Sequence, residues 1–160
     1  MADIERDAIR AILLTPYREI LLLRIRLPEV VDCFWIAPGG GLELDEGIED
    51  GLRRELREEL GLDQFEIGPL VWRRQHTFNW AGKRISQRER YYIVHVDRFE
   101  PVMSDVDEAF VVDQFRWWPV AELANSTERL TPLSLAQIVS RYLASGAPSE
   151  ALELEIVDGG

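Results

Sequence analysis

Only one cysteine, Cys33, occurs in 160 residues, so no internal disulfide can form and a reduced, cytoplasmic setting is expected. The two histidines, His76 and His95, are both remote from it in sequence, which leaves a thiol–imidazole nucleophile little support. No run approaches about 18 uncharged apolar residues, and no apolar stretch follows the first five residues, so no membrane span or leader is expected. Positive charge is scarce too. Against 29 Asp and Glu stand 18 Lys and Arg, for a net charge of −11. That argues against general DNA or anionic-membrane binding, which needs a basic stripe. A phosphorylated small molecule stays open, because a metal ion and a few arginines can supply local positive potential. Length and a hydrophobic content of 46% suit one globular domain.

What is present is a carboxylate run behind a glycine turn. Residues 39–62 read GGGLELDEGIEDGLRRELREELGL. Ile48, Leu52, Leu56 and Leu60 recur every fourth residue, which predicts a helix over 48–60, and Gly61 is placed to end it. At about 100° per residue, Glu55, Glu58 and Glu59 share an arc of roughly 100° beside the apolar stripe. Glu55 thus meets like charges at both its i+3 and i+4 neighbours, with Arg54 as the local counter-charge. A hard divalent cation with oxygen ligands would relieve that crowding. Glu49 with Arg53 and Asp50 with Arg54 are spaced as ordinary solvated pairs.

The skeleton Gly40, Glu46, Arg54-Glu55-Leu56, Glu58-Glu59 and Gly61-Leu62 resembles the Nudix box, the signature of the Nudix hydrolases. The resemblance implies an α/β/α sandwich with a mixed β-sheet, and divalent-metal-dependent hydrolysis of a diphosphate linkage in a nucleoside diphosphate derivative. It implies Mg²⁺ or Mn²⁺ held by Glu55, Glu58, Glu59 and the carbonyl of Gly39, with Arg54 and Glu46 paired to hold the loop. A carboxylate would take the proton of the attacking water, Glu58 or Glu55 being favoured and Glu108 the best candidate among the later acids Asp105, Asp107, Glu108 and Asp113. The substrate stays open among nucleoside diphosphate sugars, ADP-ribose and nucleoside triphosphates. A nucleotide-sensing regulator without catalysis, an isomerase and an RNA-decapping enzyme are the alternatives on this fold. Two departures bear on the turn. Asp45 stands where the family usually has glycine, and Gly47 follows the glutamate instead. Gly51 lies inside the helix, where it costs about 1 kcal/mol against alanine, and is weighed as drift or as room for close approach.

Outside the box, runs at 8–14 and 19–26 around Thr15-Pro16-Tyr17-Arg18 read as a hairpin. Strands are expected at 34–37, 65–78, 89–96 and 110–118, with a hairpin tip at 81–83 and an acidic loop at 101–108. A short helix is expected at 119–124 and a last one from Thr131-Pro132 to about 144. The domain is expected over 1–144, followed by a linker and tail over 145–160. In that tail Leu152, Leu154 and Ile156 alternate as in an added edge strand, open to pairing with another chain in a homodimer. Arg24 and Arg26, two apart on one strand face, are candidate diphosphate contacts, ahead of Arg73 and Arg74. Phe78 is the chosen stacking residue among His76, Phe78, Trp80, Tyr91, Trp117 and Trp118, aromatic strand residues being more often core.

Overall fold

The computed structural model describes residues 4–26, 33–80, 82–102, 111–148 and 154–158. Its strands are β1 (Ile4–Leu14), β2 (Glu19–Arg26), β3 (Cys33–Ile36), β4 (Gly39–Gly41), β5 (Ile67–Trp80), β6 (Lys83–His95), β7 (Val111–Pro119), β8 (Arg129–Thr131) and β9 (Leu154–Asp158). Its helices are α1 (Ile48–Leu60), α2 (Val120–Leu123) and α3 (Leu135–Ser145). The strands join in one mixed sheet, ordered β8-β3-β2-β1-β6-β5-β9, with β4 beside β1 and β7 beside β2.

Strict alternation along β1 and β2 builds the two cores. Ile12, Leu14, Ile20 and Leu22 pack with Leu123 of α2 and with Leu135, Ile138 and Val139 of α3. Ile9, Ala11, Leu13, Leu21 and Leu23 pack on the other face with Leu52, Leu56 and Leu60 of α1. Strands buried on both faces read as continuous apolar runs, as these do. The expected α/β/α layering follows from that two-sided burial. Among the described residues no helix is long and apolar enough to cross a membrane.

Several expectations change. The 8–14 and 19–26 runs form no extended hairpin, since β1 and β2 pair only at Leu14↔Ile20. Instead β1 runs parallel to β6 from Ile4↔Ile85 to Leu14↔His95, and β2 runs antiparallel to β7 and β3. A tight turn forces neighbouring strands together only at its base; the more extensive pairings lie elsewhere. The last helix begins at Leu135, because Thr131 is taken by β8, opposite Ile36 of β3. Strand β6 starts at Lys83 rather than 89, its charged first half obscuring the pattern. The β5–β6 hairpin closes with Trp80 opposite Lys83, and Gly68-Pro69 falls where its register shifts. The tail strand β9 pairs with β5, Arg73↔Leu154 to Thr77↔Asp158, and stands at the end of the sheet order as the expected added edge strand.

Candidate active site

Helix α1 forms where the period predicts. Gly61 ends it in the left-handed conformation, φ 71°, donating to the carbonyl of Arg57 at 2.9 Å. Leu52, Leu56 and Leu60 are buried, so the glutamates beside them are carried to the edge of the core. The loop before it is fixed by Arg54, which uses all five of its N–H groups. Nε and Nη2 grip Glu46 at 2.8 and 2.9 Å, and Nη2 also donates to the carbonyl of Gly41 at 3.0 Å. Nη1 donates to Glu55 and Glu58, each at 3.1 Å. This bidentate grip, with the Glu43 amide, holds the Glu46 carboxyl down to about 2. Burial pushes the Glu55 carboxyl up and Glu58 adds to it, while Arg54 and Arg10 oppose them.

Backbone geometry explains the glycine turn. Gly39 has φ 145°, and a Cβ there would sit 2.1 Å from the carbonyl oxygen of Ile9. At Gly40 a Cβ would lie 2.6 Å from the Glu55 carboxylate, so the missing side chain is the space that carboxylate occupies. Gly40→Ala is expected to displace Glu55 and lower turnover about 10²-fold, the usual scale for an ångström-sized misplacement. Gly47→Ala, where a Cβ meets nothing within 4 Å, is expected to keep turnover within about twofold, checked by the same steady-state assay. Gly51 is also explained by close approach, since a Cβ there would meet Leu42 Cδ2 at 2.3 Å.

The family departure at Asp45 resolves physically. Asp45 itself takes the left-handed conformation, φ 63°, which aspartate tolerates better than most residues. The turn therefore closes without the usual glycine, and Gly47 serves as N-cap at an ordinary φ of −74°. Asp45→Gly is expected to raise stability by up to about 1 kcal/mol, read as a higher urea midpoint, relief of the positive φ exceeding the added chain entropy.

A cavity of about 370 Å³ opens between this loop and the sheet. Glu55, Glu58, Glu59 and Gly39 to Gly41 line one side, and Phe34, Phe78, Ile25, Ile36, Ile85 and Val112 line an apolar part. Arg6, Arg10 and Gln87 supply the remaining polar lining. Phe78 packs on His76, ring centroids 5.0 Å apart. Burial and the neighbouring Arg74 lower the His76 pKa.

The predicted site residues thus divide. Glu46, Arg54, Glu55, Glu58, Glu59, Gly39 and Phe78 are gathered at the cavity or in the loop that frames it. Arg24 and Arg26 do not line it; Ile25 between them does, because neighbours on a strand face opposite ways. Arg24 lies opposite Gln114 of β7, whose side-chain amide, turned so that its oxygen faces the guanidinium, accepts from Arg24 Nε at 2.9 Å. Tyr91, Trp117 and Trp118 are buried in the two cores. Glu108, with Asp105 and Asp107, falls outside the described residues. The residues sequence reading missed are Arg6, Arg10, Gln87 and Glu89. Their signal was two-residue alternation, Arg6-x-Ala8-x-Arg10 and Gln87-x-Glu89, on strands that the register sets side by side: Arg6↔Gln87 and Ala8↔Glu89.

The donors suit a hard cation: carboxylate and backbone carbonyl oxygens, with no sulfur or imidazole among the lining residues. The three carboxylates do not converge on a single point among the described residues. Arg54 draws Glu55 and Glu58 to itself, so the arrangement fits a cation once those two oxygens turn from Nη1.

The NUDIX domain model matches residues 5–138. An RNA pyrophosphohydrolase of Pseudomonas fluorescens is 25% identical over 129 residues, covering 69% of this chain and 79% of that protein. The crystal structure of a MutT NUDIX hydrolase from Burkholderia pseudomallei superposes with a TM-score of 0.61 at 25% identity, covering 84% of this chain and 95% of that one. The NUDIX domain of Shewanella oneidensis NrtR, complexed with ADP ribose, has a TM-score of 0.64 at 19% identity, covering 89% of this chain and 90% of that one, and shares the fold.

Proposed function

The chain belongs to the Nudix hydrolase family, and on that premise we propose that it splits a diphosphate linkage in a nucleotide derivative by attack of water on phosphorus. The observation that carries this reading is one cavity joining three helix-borne glutamates and a glycine-loop backbone to an apolar slot edged by Phe34 and Phe78. Glu55, Glu58, Glu59 and the Gly39 carbonyl would hold Mg²⁺ or Mn²⁺, whose chemistry is to lower the pKa of water and to screen phosphoryl charge. Glu58 or Glu55 takes the proton of the water, with Glu108 retained as the later-loop alternative. Arg54 and Glu46 keep the loop against α1. Phe78 stacks on the base. For the outer phosphates Arg6 replaces Arg24 and Arg26, since it lines the cavity and has no carboxylate partner among the described residues.

The substrate class is a nucleoside diphosphate sugar, ADP-ribose or a nucleoside triphosphate. The test is a panel of these, with an RNA bearing a 5′ polyphosphate, incubated with Mg²⁺ or Mn²⁺ in ¹⁸O-water and read by mass. Cleavage with ¹⁸O in a phosphate product, abolished by chelator, is the expected result. A net charge of −11 disfavours the RNA arm. No cleavage anywhere, together with thermal stabilisation by a nucleotide, would replace hydrolysis with ligand sensing.

A further inference from the structure

Strands β1, β5 and β6 bury a second set of charges, away from the helix glutamates. Glu89 is 2% exposed, and four donors share its two oxygens. Oε2 accepts from Arg10 Nε at 3.0 Å and from Gln87 Nε2 at 3.1 Å. Oε1 accepts from Arg74 Nη1 at 2.7 Å and from the Tyr91 hydroxyl at 3.4 Å. Burial alone would raise this carboxyl, but Arg10 and Arg74 outweigh it and hold it at about 2. One anion therefore faces two cations, and the group keeps an excess positive charge. Stability is a weak reason for such an arrangement, because well-packed apolar side chains usually serve as well or better.

The excess points to the cavity. Arg74 is 6% exposed, whereas Arg10 lines the cavity. Arg10 Nη1 donates to the carbonyl of Ala37 at 3.0 Å, and Arg10 pairs across the strands with Gly39. It lies within electrostatic range of Glu55 and Glu59. With Nε held by Glu89 and Nη1 by Ala37, Nη2 has no protein acceptor among the described residues. A guanidinium fixed on two sides and open on the third is already oriented for an oxyanion.

We propose that Arg10 contacts the substrate: its Nη2 donates to a non-bridging oxygen of the diphosphate lying between the helix glutamates and the 39–41 loop, and Glu89 is the positioning residue that fixes the guanidinium. This rests on the pyrophosphohydrolase reading and adds a protein-borne cation to it. A preorganised donor aimed at phosphoryl charge needs no reorganisation as charge shifts during the reaction.

Arg10→Ala suits the test, because it leaves Glu89 paired one-to-one with Arg74. Binding of imidodiphosphate, a diphosphate analogue with a bridging nitrogen, is measured by calorimetry in Mg²⁺. Affinity is expected to fall at least about tenfold, the scale of one charged hydrogen bond. Turnover on the nucleotide cleaved by the wild type is expected to fall about 10²-fold, with millimolar guanidinium, but not ammonium, restoring a tenfold part. Affinity within twofold of wild type, or lost turnover that guanidinium does not rescue, overturns the contact. If the wild type cleaves nothing, the calorimetric arm decides: a tenfold loss sustains the Arg10 contact while the hydrolytic reading falls. For Glu89, Glu89→Gln keeps an oxygen for Arg10 and Glu89→Met does not. Tighter imidodiphosphate binding by the former is expected, and equal binding by the two would remove the positioning role.

Discussion

Glu58→Gln is expected to lower turnover by about 10³-fold without loosening the fold. The size follows from the role: a group that takes a proton in the transition state contributes roughly 10² to 10⁴, and Glu58 is also a proposed metal ligand. The tolerance follows from exposure, because the Glu58 side chain is 47% exposed on α1. Arg54 loses one charged acceptor and keeps Glu46, Glu55 and Gly41. The unfolding midpoint should therefore match wild type, while Mg²⁺-dependent turnover should not. Full activity in this variant, or in the wild type with excess chelator, would remove the metal assignment. A midpoint lowered as far as activity would make Glu58 a structural residue instead.

The second large effect is on stability. Glu89→Gln removes the carboxylate shared by Arg10 and Arg74 and leaves two guanidiniums facing a neutral amide, which should cost about 3–5 kcal/mol. The pH dependence carries the same signature. The folded pKa, about 2, lies below the ordinary carboxylate value of 4.5. Glu89 thus contributes stability that is fully present above about pH 4.5 and is lost as pH falls from there towards 2, roughly 3 kcal/mol in all. Glu46, held in its clamp with Arg54, titrates in the same window with the same sign, and does so equally in both proteins. Urea midpoints between pH 7 and 2.5 should fall steeply on the acid side for wild type and less so for Glu89→Gln. Parallel acid limbs in the two proteins would show that Glu89 does not carry the buried charge.

These two residues differ in how far they could be read in the chain. Glu58 belongs to a segment whose meaning is local. The four-residue apolar period, the crowded arc of glutamates and the glycine at 61 all act over one or two turns, so helical geometry converts spacing directly into position. The Glu46–Arg54 clamp spans eight residues from loop to helix, and the resemblance to the Nudix box, not helical spacing, pointed to it. Even the substitution of Asp45 for glycine had a local answer, in a residue that accepts the left-handed conformation.

Glu89 was not legible, although its chemistry is ordinary. Its partners Arg10 and Arg74 lie 79 and 15 residues away. What joins them is a parallel β1–β6 register and an antiparallel β5–β6 register, with Arg74↔Glu89 and Ala8↔Glu89 as neighbours across three strands. A slip of one residue in either pairing would turn the carboxylate to the other face. The same nonlocality misdirected the hairpin at residues 8–26, where a true turn suggested a pairing that β6, β7 and β3 took instead. By itself the sequence determined a carboxylate-lined helix behind a glycine loop and, through its resemblance, a class of reaction. The tertiary structure alone decided which arginines meet that helix, because helix spacing is fixed by covalent geometry and strand neighbours are chosen by the packing of the whole sheet.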